Sequence, residues 1–250
     1  MIIDHPGFED IPALRALWKE AFSDTDDFLD LFFREAFAPE RALAVKEGNA
    51  VLAALYWFDC ICEKAPCVYV YAVATKKEHR GKGICRFLMA KLHQEMDSLG
   101  KSAVLVPADE GLRPFYARLG YRNFGGRDEI FCHAEGAPVA AEKLSADDYM
   151  QKRRQLLPSG GILQEGETQS LLQNMLTFYG GEGWLLAGCY SEGEWRFPEF
   201  LGDRGLLPGI LQGLSIPAAR IYAAGETPFA MLRSGKKAGA LPGYFAFALD

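Results

Sequence analysis

Apolar residues along this chain follow two periods, and the alternation between them predicts a mixed α/β (α+β) protein. Spacing of three or four residues, which is typical of amphipathic helices, occurs at 10–22, at 24–37 and again after residue 83. The apolar runs that predict strands in the first half lie at 42–46, 50–62, 67–73, 103–106, 121–124 and 129–133. A short N-terminal strand and a helix around residue 116 are expected as well.

The remaining residues repeat this order loosely. Strands are expected at 139–144, 184–190, 194–201, 219–223 and 229–233, with a final apolar segment at 244–249. Helices are expected at 146–156, 168–179 and 206–214. The run Gly136-Ala137-Pro138 is typical of a linker, so we predict one domain at 1–136 and a second, shortened α+β unit at 137–250. An unrelated α+β cap is the alternative for the second unit.

Bulk composition narrows the functional class only a little. The 250 residues are 49% hydrophobic and 24% charged, as in ordinary soluble globular proteins. No apolar run is long enough to span a membrane and the N-terminus lacks the pattern of a signal peptide, so a cytoplasmic protein is expected. The net charge of −6 argues against nucleic acid as a partner. The cysteines show no metal-ligand spacing, so reduced thiols and no metal are predicted.

A long apolar strand runs into a basic, glycine-containing turn and then into a helix. Such a junction directs several backbone N–H groups outward at the positive end of the helix dipole, which favours phosphate. Gly81 and Gly83 allow the backbone to approach an anion closely, and Arg80, Lys82 and Arg86 add positive charge. The spacing is not that of a P-loop, which closes with Gly-Lys-Ser/Thr, nor that of G-x-G-x-x-G, because Arg86 stands at the last glycine.

Two motifs in this order resemble the GNAT superfamily of N-acetyltransferases. The acyl-CoA signature of that family, Arg/Gln-x-x-Gly-x-Gly/Ala, is matched by Arg80 and Gly83, with Cys85 at its last position. Cysteine is small and keeps its backbone N–H. Downstream, residues 114–121 read Pro-Phe-Tyr-Ala-Arg-Leu-Gly-Tyr and resemble the family's F-Y-x-x-L-G-Y/F element between a helix and a strand. The resemblance implies a GNAT fold with a mixed central sheet, followed by a second, degenerate GNAT-like unit.

The resemblance also implies an acyl-CoA-dependent N-acyltransferase and its site residues. The residues that it assigns to acetyl-CoA are Val73, Thr75, Arg80, Gly81, Lys82, Gly83, Cys85 and Arg86. Among them, Val73 and Thr75 would present backbone N–H groups to the thioester carbonyl. Tyr116 matches the tyrosine that acts as general acid, and a phenol with a pKa of about 10 is protonated at neutral pH. A packed aromatic side chain is the alternative for Tyr116, and Tyr121 is expected in the core.

A wider pattern is similar to the tandem aminoglycoside acetyltransferases of the enhanced-intracellular-survival type. The matched positions are Val73, Thr75, Arg80, Gly83, Cys85 and Arg86. In that group the C-terminal carboxylate is the catalytic base, which implies Asp250 here. This chain is much shorter and has no room for that group's third domain. Its region at 203–209 lacks the acyl-CoA spacing, so one acetyl-CoA is predicted to bind, in the first half.

Other candidates for the catalytic base come from the residues themselves. They are His79, Asp109, Glu110 and Glu199. His79 is expected to be exposed in the basic turn, whereas Asp109 and Glu110 suit the start of a helix. Glu199 is an acid inside an apolar strand. Many GNAT enzymes use water chains in place of a dedicated base.

An acidic stretch at the junction of the first two predicted helices points to the acceptor. Its acids are Glu20, Asp24, Asp26, Asp27 and Asp30, with no basic residue between them. In GNAT-like folds this junction flanks the acceptor cleft, so a small, cationic amine is expected. The alternative is a solvated helix start that is capped by Asp24 or Thr25.

The function predicted from the sequence is therefore transfer of an acetyl group from acetyl-CoA to a small, cationic amine. A catalytically silent acyl-CoA-binding regulatory protein is the first alternative. A tandem-GNAT aminoacyl transferase that uses charged tRNA is the second, and the acidic net charge disfavours it.

Overall fold

The computed structural model describes residues 1–48, 50–62, 65–235 and 243–247. Its strands are β1 (Ile2–Asp4), β2 (Ala42–Glu47), β3 (Ala50–Cys62), β4 (Ala65–Thr75), β5 (Ser102–Leu105), β6 (Arg122–His133), β7 (Glu142–Leu144), β8 (Ile162–Gln164), β9 (Thr177–Gly181), β10 (Trp184–Ser191), β11 (Glu194–Leu201) and β12 (Ala218–Arg233). Its α-helices are α1 (Ile11–Ala21), α2 (Asp26–Glu35), α3 (Ile84–Leu99), α4 (Arg113–Arg118), α5 (Ala146–Leu156), α6 (Glu167–Met175) and α7 (Leu207–Gly213).

These strands form a single sheet that both halves of the chain build. Its order is β1-β2-β3-β4-β5-β12-β11-β10-β9-β7, with β6 paired to β12 and β8 paired to β3. The first four strands pair antiparallel, whereas β5 is parallel to β4 and β11 is parallel to β12. The mixed central sheet that the sequence predicted is therefore confirmed.

Two long strands join the halves, where the sequence predicted four short ones. β6 is continuous over Arg122–His133, and β12 is continuous over Ala218–Arg233 with a change of register between Gly225 and Pro228. The last residues of β12 pair with β5 on one side and with β6 on the other. The second half of the chain thus supplies a strand to the sheet of the first, and the domain boundary near residue 136 stays a prediction.

Hydrophobic clusters pack the helices onto this sheet. The largest joins α1, α2, α5 and α6 to the strands, and in it the Trp18 ring lies 4.7 Å from Phe32 and 5.2 Å from Tyr56. A second cluster lies under α3 and contains Tyr116, and a third lies under α7. Aromatic pairs in such contact contribute about 0.5–1.5 kcal/mol each beyond the burial of their area. They therefore hold α1 and α2 firmly beside β3 and β4.

Left-handed glycines bound α3 at both ends. Gly83 is its N-cap with a φ of 79°, and Gly100 is its C-cap with a φ of 68°, a conformation that favours glycine. The buried residues of α3 are Ile84, Leu88, Met89, Leu92 and Met96. Phe87, on the same helix, is 68% exposed. A helix turns by roughly 100° per residue, so Phe87 falls on the side opposite the buried stripe.

The helix predicted at 168–179 was too long. α6 ends at Met175, and Thr177–Gly181 form β9, which pairs antiparallel with residues 184–188 of β10. The hairpin turns at Gly183, whose φ is 73°. The β-branched and aromatic residues of β9 favour a strand once a partner strand lies beside them, and this partner comes from tertiary packing.

Candidate active site

A cleft opens where β4 and β5 stop pairing. On β4 the pairing covers only Cys67 to Tyr69. Beyond it β4 carries a bulge, in which Ala72 has a φ of 48° and the register with β3 shifts. Within the described strands, Ala72 and Val73 have no register partner in β3 or β5. Bulges re-aim backbone groups and are common beside active sites, and here the bulge borders a cleft of about 500 Å³.

The cleft has an aromatic wall and a charged rim. Its aromatic lining residues are Trp18, Phe22, Tyr69, Tyr71, Tyr116 and Phe229. Its charged lining residues are Asp24, Glu110, Arg113 and Arg127. These side chains come from the α1–α2 region, β4, the α4 region, β6 and β12, so both halves of the chain contribute. Such a lining suits an organic molecule that has an apolar body and a polar group.

The turn between β4 and α3 has the geometry of an anion site. Gly81 and Gly83 have φ values of 73° and 79°. A Cβ atom on Gly81 would meet no described atom within 4 Å, and one on Gly83 would meet only the Phe87 ring at 3.9 Å. Phe87 N donates to Gly83 O, which leaves the three preceding N–H groups without a helical partner. Arg80 Nε donates to Thr75 O at 3.0 Å and braces the turn, so the residues present fit a phosphate group.

Cys85 stands where the GNAT signature has glycine or alanine, and its side chain is half-buried. It packs against the cluster under α3, and burial raises the pKa of its thiol to about 11. The thiol is therefore neutral at physiological pH and places no negative charge beside the turn. Lys82 and Arg86 are exposed on the same segment and add positive charge to the start of α3.

Tyr116 projects from α4 into the cleft wall. Its side chain is 7% exposed and its ring lies 5.8 Å from that of Tyr121. Burial raises the pKa of Tyr116 above its usual value, and the neighbouring Cys85 and Asp109 add to this shift. Tyr121 is also buried, but its hydroxyl lies 3.2 Å from His93 Nε2 and it does not line the cleft. The two tyrosines are thus similar in burial and different in surroundings.

The two residues expected at the thioester carbonyl are placed differently. Val73 lies in the bulge and lines the cleft. Thr75 pairs with Ala53 of β3, and its carbonyl accepts the hydrogen bond from Arg80. Val73 therefore borders the cleft, whereas Thr75 is engaged by β3 and by the turn between β4 and α3.

The candidate bases near the cleft are mostly occupied. Asp109 caps the turn before α4, since its carboxylate accepts from Leu112 N at 3.2 Å. Glu110 lines the cleft and pairs with Arg113 at 2.7 Å. His79 is half-buried in the basic turn rather than exposed, and it does not line the cleft. Of these three, only Glu110 is in a position to meet a ligand in the cleft.

Glu199 lies in the core of the second half and not in the cleft. Its carboxylate accepts from Arg153 Nε at 2.7 Å, from Arg153 Nη2 at 2.9 Å and from the Tyr149 hydroxyl at 2.7 Å. A buried charge needs such partners, so Glu199 is a structural group. Asp250, which the resemblance implied as the base, lies outside the described residues.

The acidic stretch between α1 and α2 is partly neutralised by bases of α1. Asp26 lies 3.1 Å from Arg15 and 2.5 Å from Lys19, and the pKa of Asp26 is lowered mainly by Lys19. Among the five acids, Asp24 alone lines the cleft. It accepts a hydrogen bond from Trp18 Nε1 at 2.7 Å. One exposed carboxylate, held in place by a buried indole, therefore stands at the cleft.

Two arginines of the cleft were not identified from the sequence. Arg113 donates to the carbonyls of Pro228 and Phe229. The Arg127 guanidinium lies 3.4 Å from the centre of the Phe229 ring and 4.3 Å from that of Tyr222. All these partners belong to β12, which is far away along the chain, so the local sequence carries no signal for either arginine.

The part of the chain that the structure describes contains neither a membrane-spanning helix nor a cluster of metal-ligating side chains. No helix there is long and apolar enough to cross a membrane. The same residues contain no group of three or more histidine, cysteine or acidic side chains that could hold a metal ion. The six cysteines are unbridged.

Residues 4–124 match a family model described as an acetyltransferase (GNAT) domain. Among curated proteins, no sequence matches this chain significantly. The matched residues include the glycine-containing turn between β4 and α3, the bulged strand β4 and Tyr116, and they stop just inside β6.

Three solved structures resemble the chain over most of its length. A GCN5-related N-acetyltransferase from Anabaena variabilis has a TM-score of 0.74 at 14% identity, over 93% of this chain and 72% of its own. One from Kribbella flavida has a TM-score of 0.72 at 18% identity, over 92% and 70%. Eis1 from Mycobacterium abscessus has a TM-score of 0.69 at 10% identity, over 94% and 74%. These likenesses show a common fold, and residues 4–124 of this chain match the GNAT acetyltransferase domain.

Proposed function

We propose that the protein transfers an acetyl group from acetyl-CoA to a small amine. The observation that carries this proposal is the position of Tyr116. It lines the cleft, and it belongs to the same hydrophobic cluster against which Cys85, at the start of α3, is packed. This phenol would lie between a turn that binds phosphate and a cleft that holds an organic molecule. Such a position suits a reaction in which a thiolate leaves and takes up a proton.

The donor would be held mainly by the backbone. The free N–H groups at the start of α3, with the left-handed Gly81 and Gly83, would bind the pyrophosphate of CoA. The acyl end would enter the cleft between β4 and β5. There the N–H of Val73, in the bulge, would donate to the thioester carbonyl and stabilise the negative charge that develops on its oxygen.

Tyr116 would act as the general acid. A neutral amine attacks the thioester carbon, the C–N bond forms, the C–S bond breaks, and the amine's surplus proton leaves to water. The departing sulfur takes the hydroxyl proton of Tyr116. Because burial raises the pKa of this tyrosine above its usual value, the hydroxyl stays protonated at neutral and mildly alkaline pH, as a general acid must.

The acceptor would enter past Asp24. This carboxylate is exposed at the cleft and is oriented by Trp18, so it would attract a cationic amine and raise its local concentration. The aromatic side chains of the wall would then cover the apolar body of the amine. We therefore propose a small amine that is cationic in solution as the acceptor.

The test measures thiol release from acetyl-CoA with a panel of small amines. Tyr116→Phe should lower kcat by about ten- to a thousandfold while CoA affinity is kept, since only the donated proton is lost. Tyr121→Phe is the matched control, because this tyrosine is equally buried in the same cluster but lies outside the cleft. Its turnover should stay within about twofold of the parent protein.

Two results would contradict the proposal. Unchanged turnover in Tyr116→Phe would make this residue a packing group. Tight binding of CoA with no thiol release from any amine would favour a catalytically silent acyl-CoA-binding protein.

A further inference from the structure

The buried carboxylate of Glu199 makes a further contact besides its ion pair with Arg153. The hydroxyl of Tyr244 lies 3.3 Å from Glu199 Oε1, on the same oxygen that accepts from Arg153 Nη2. The guanidinium of Arg153 also lies 4.8 Å from the centre of the Phe247 ring. The Glu199–Arg153 pair therefore contacts residues 243–247 through the side chains of Tyr244 and Phe247. We term residues 243–247 the C-terminal segment.

Backbone contacts hold the same segment. Gln164 Nε2 donates to Phe247 O at 2.6 Å, and Ile162 N donates to Tyr244 O at 2.9 Å. Gly243 N donates to Gly160 O at 2.6 Å. Residues 244–247 are almost completely buried, with exposures of 0–2%. The C-terminal segment is thus an anchored part of the core.

The middle residue of the segment packs directly behind the cleft. The Phe245 ring lies 4.9 Å from Tyr69 and 6.2 Å from Phe229, with the latter pair stacked. Tyr69 and Phe229 both line the cleft, whereas Phe245 does not. Phe229 carries the guanidinium of Arg127 against its ring. The position of Phe245 therefore fixes the rings of Tyr69 and Phe229 in the cleft wall. Through Phe229 it also fixes the position of the Arg127 guanidinium.

We infer that Phe245 is a specificity-determining residue, which sets the depth of the acceptor cleft through Tyr69 and Phe229, and that Glu199 and Arg153 are positioning residues that hold it there. This inference rests on the proposed acetyl transfer for the identity of the occupant. The expected substrate is therefore an amine of narrow cross-section. The Phe245 ring, packed behind Tyr69 and Phe229, prevents these two side chains from moving back to admit a wider molecule.

The first experiment compares Phe245→Leu with Phe197→Leu. Both phenylalanines are fully buried, but Phe197 belongs to the cluster under α7. In Phe245→Leu the ratio of kcat/KM for a branched or aryl primary amine to that for a short linear one should rise by about tenfold, because the walls gain room. The control should keep the parent ratio. Equal shifts in both variants, or none in Phe245→Leu, would overturn the inference.

The second experiment tests the anchoring without any measurement of activity. Tyr244→Phe and Tyr149→Phe each remove one hydroxyl from Glu199, and the Tyr149 bond is the shorter at 2.7 Å. Tyr149→Phe should therefore cost more global stability, yet only Tyr244→Phe should speed amide hydrogen exchange in the peptide that covers residues 243–247. Equal acceleration in both variants, or none in Tyr244→Phe, would overturn the anchoring role.

The two experiments also separate this inference from the proposed function. If the parent protein releases no thiol with any amine, the acetyl transfer proposal fails. The anchoring of the C-terminal segment is then decided by hydrogen exchange alone, and the depth of the cleft is decided by calorimetric binding of the same linear and branched amines to Phe245→Leu and Phe197→Leu.

Discussion

Two junctions in this molecule each consist of a strand, a turn and a helix, but they present groups of opposite charge to a ligand. The junction after β4 has two left-handed glycines and exposed basic side chains. The junction after β11 is capped by its own Asp203, whose carboxylate accepts from Gly205 N at 2.9 Å. Arg204 there is engaged with Asp128 at 3.1 Å and with the carbonyl of Ala224. A phosphate would meet free N–H groups at the first junction and a carboxylate at the second.

The comparison teaches that the order of elements alone does not make an anion site. Glycines with positive φ, an uncapped helix start and unengaged basic side chains are needed together. α7 is also short, at seven residues against sixteen for α3, and it has a proline in its first turn. The prediction that acetyl-CoA binds once, in the first half, follows from these differences.

The largest expected effect comes from placing the same side chain in both junctions. Gly83→Asp should weaken CoA binding by about a hundredfold or more, because the new carboxylate would face the pyrophosphate and a side chain at this positive φ is strained. Gly205→Asp in the second junction is the matched control and should leave the affinity unchanged. Calorimetry with CoA measures both. Two equivalent CoA sites in the parent protein would break the comparison.

A second prediction concerns how the unlike halves depend on each other. Glu199→Gln leaves the Arg153 guanidinium buried without its counter-charge, so the free energy of unfolding should fall by about 3–5 kcal/mol. Because β12 joins both halves in one sheet, α3 in the first half should lose protection as well. Urea unfolding and hydrogen exchange of α3 measure the two effects.

The control for this substitution is Glu194→Gln, which breaks a more exposed contact with Arg196 and Arg220 and should cost much less. Unchanged protection of α3 in Glu199→Gln, beside a loosened second half, would show that the halves unfold separately.

A smaller effect is expected from the acidic side of the cleft. Asp24→Asn should raise KM for a cationic amine by about three- to tenfold at low salt, with a weaker effect at high salt, because a screened charge attracts less. Asp27→Asn is the control, since that carboxylate is exposed on α2 and does not line the cleft. Initial rates at two ionic strengths measure both variants. Equal changes in the two variants would assign the effect to overall charge.

The smallest effect is expected at the position that departs from the GNAT signature. Cys85→Ala should keep CoA affinity within about threefold, because the phosphate would meet the backbone N–H of residue 85 while the thiol packs toward the core. Calorimetry under the same conditions as for Gly83→Asp gives the direct comparison. A loss as large as that of Gly83→Asp would mean that the Cys85 side chain itself belongs to the cradle.

Local features were predictable from the sequence because their physics is local. The open backbone expected at Gly81 and Gly83 and the apolar spacing of α3 each depend on neighbours a few residues away, and the structure has them. The alternative interpretation of the acidic stretch, a capped helix start, was also partly right. Thr25 caps α2, because its hydroxyl accepts a hydrogen bond from Phe28 N at 3.2 Å. The F-Y-x-x-L-G-Y element placed Tyr116 on a helix beside the strand that follows it.

Other features were decided only by tertiary structure. β6 and β12 became long, continuous strands because each gives the other a partner along most of its length. Arg113 and Arg127 entered the cleft because β12 brought Pro228 and Phe229 beside them. Backbone pairing and burial of charge depend on which distant groups meet. The sequence by itself therefore determined the glycine-containing turn after β4 and the helix behind it, whereas the walls and charges of the cleft were set by contacts between residues far apart in the chain.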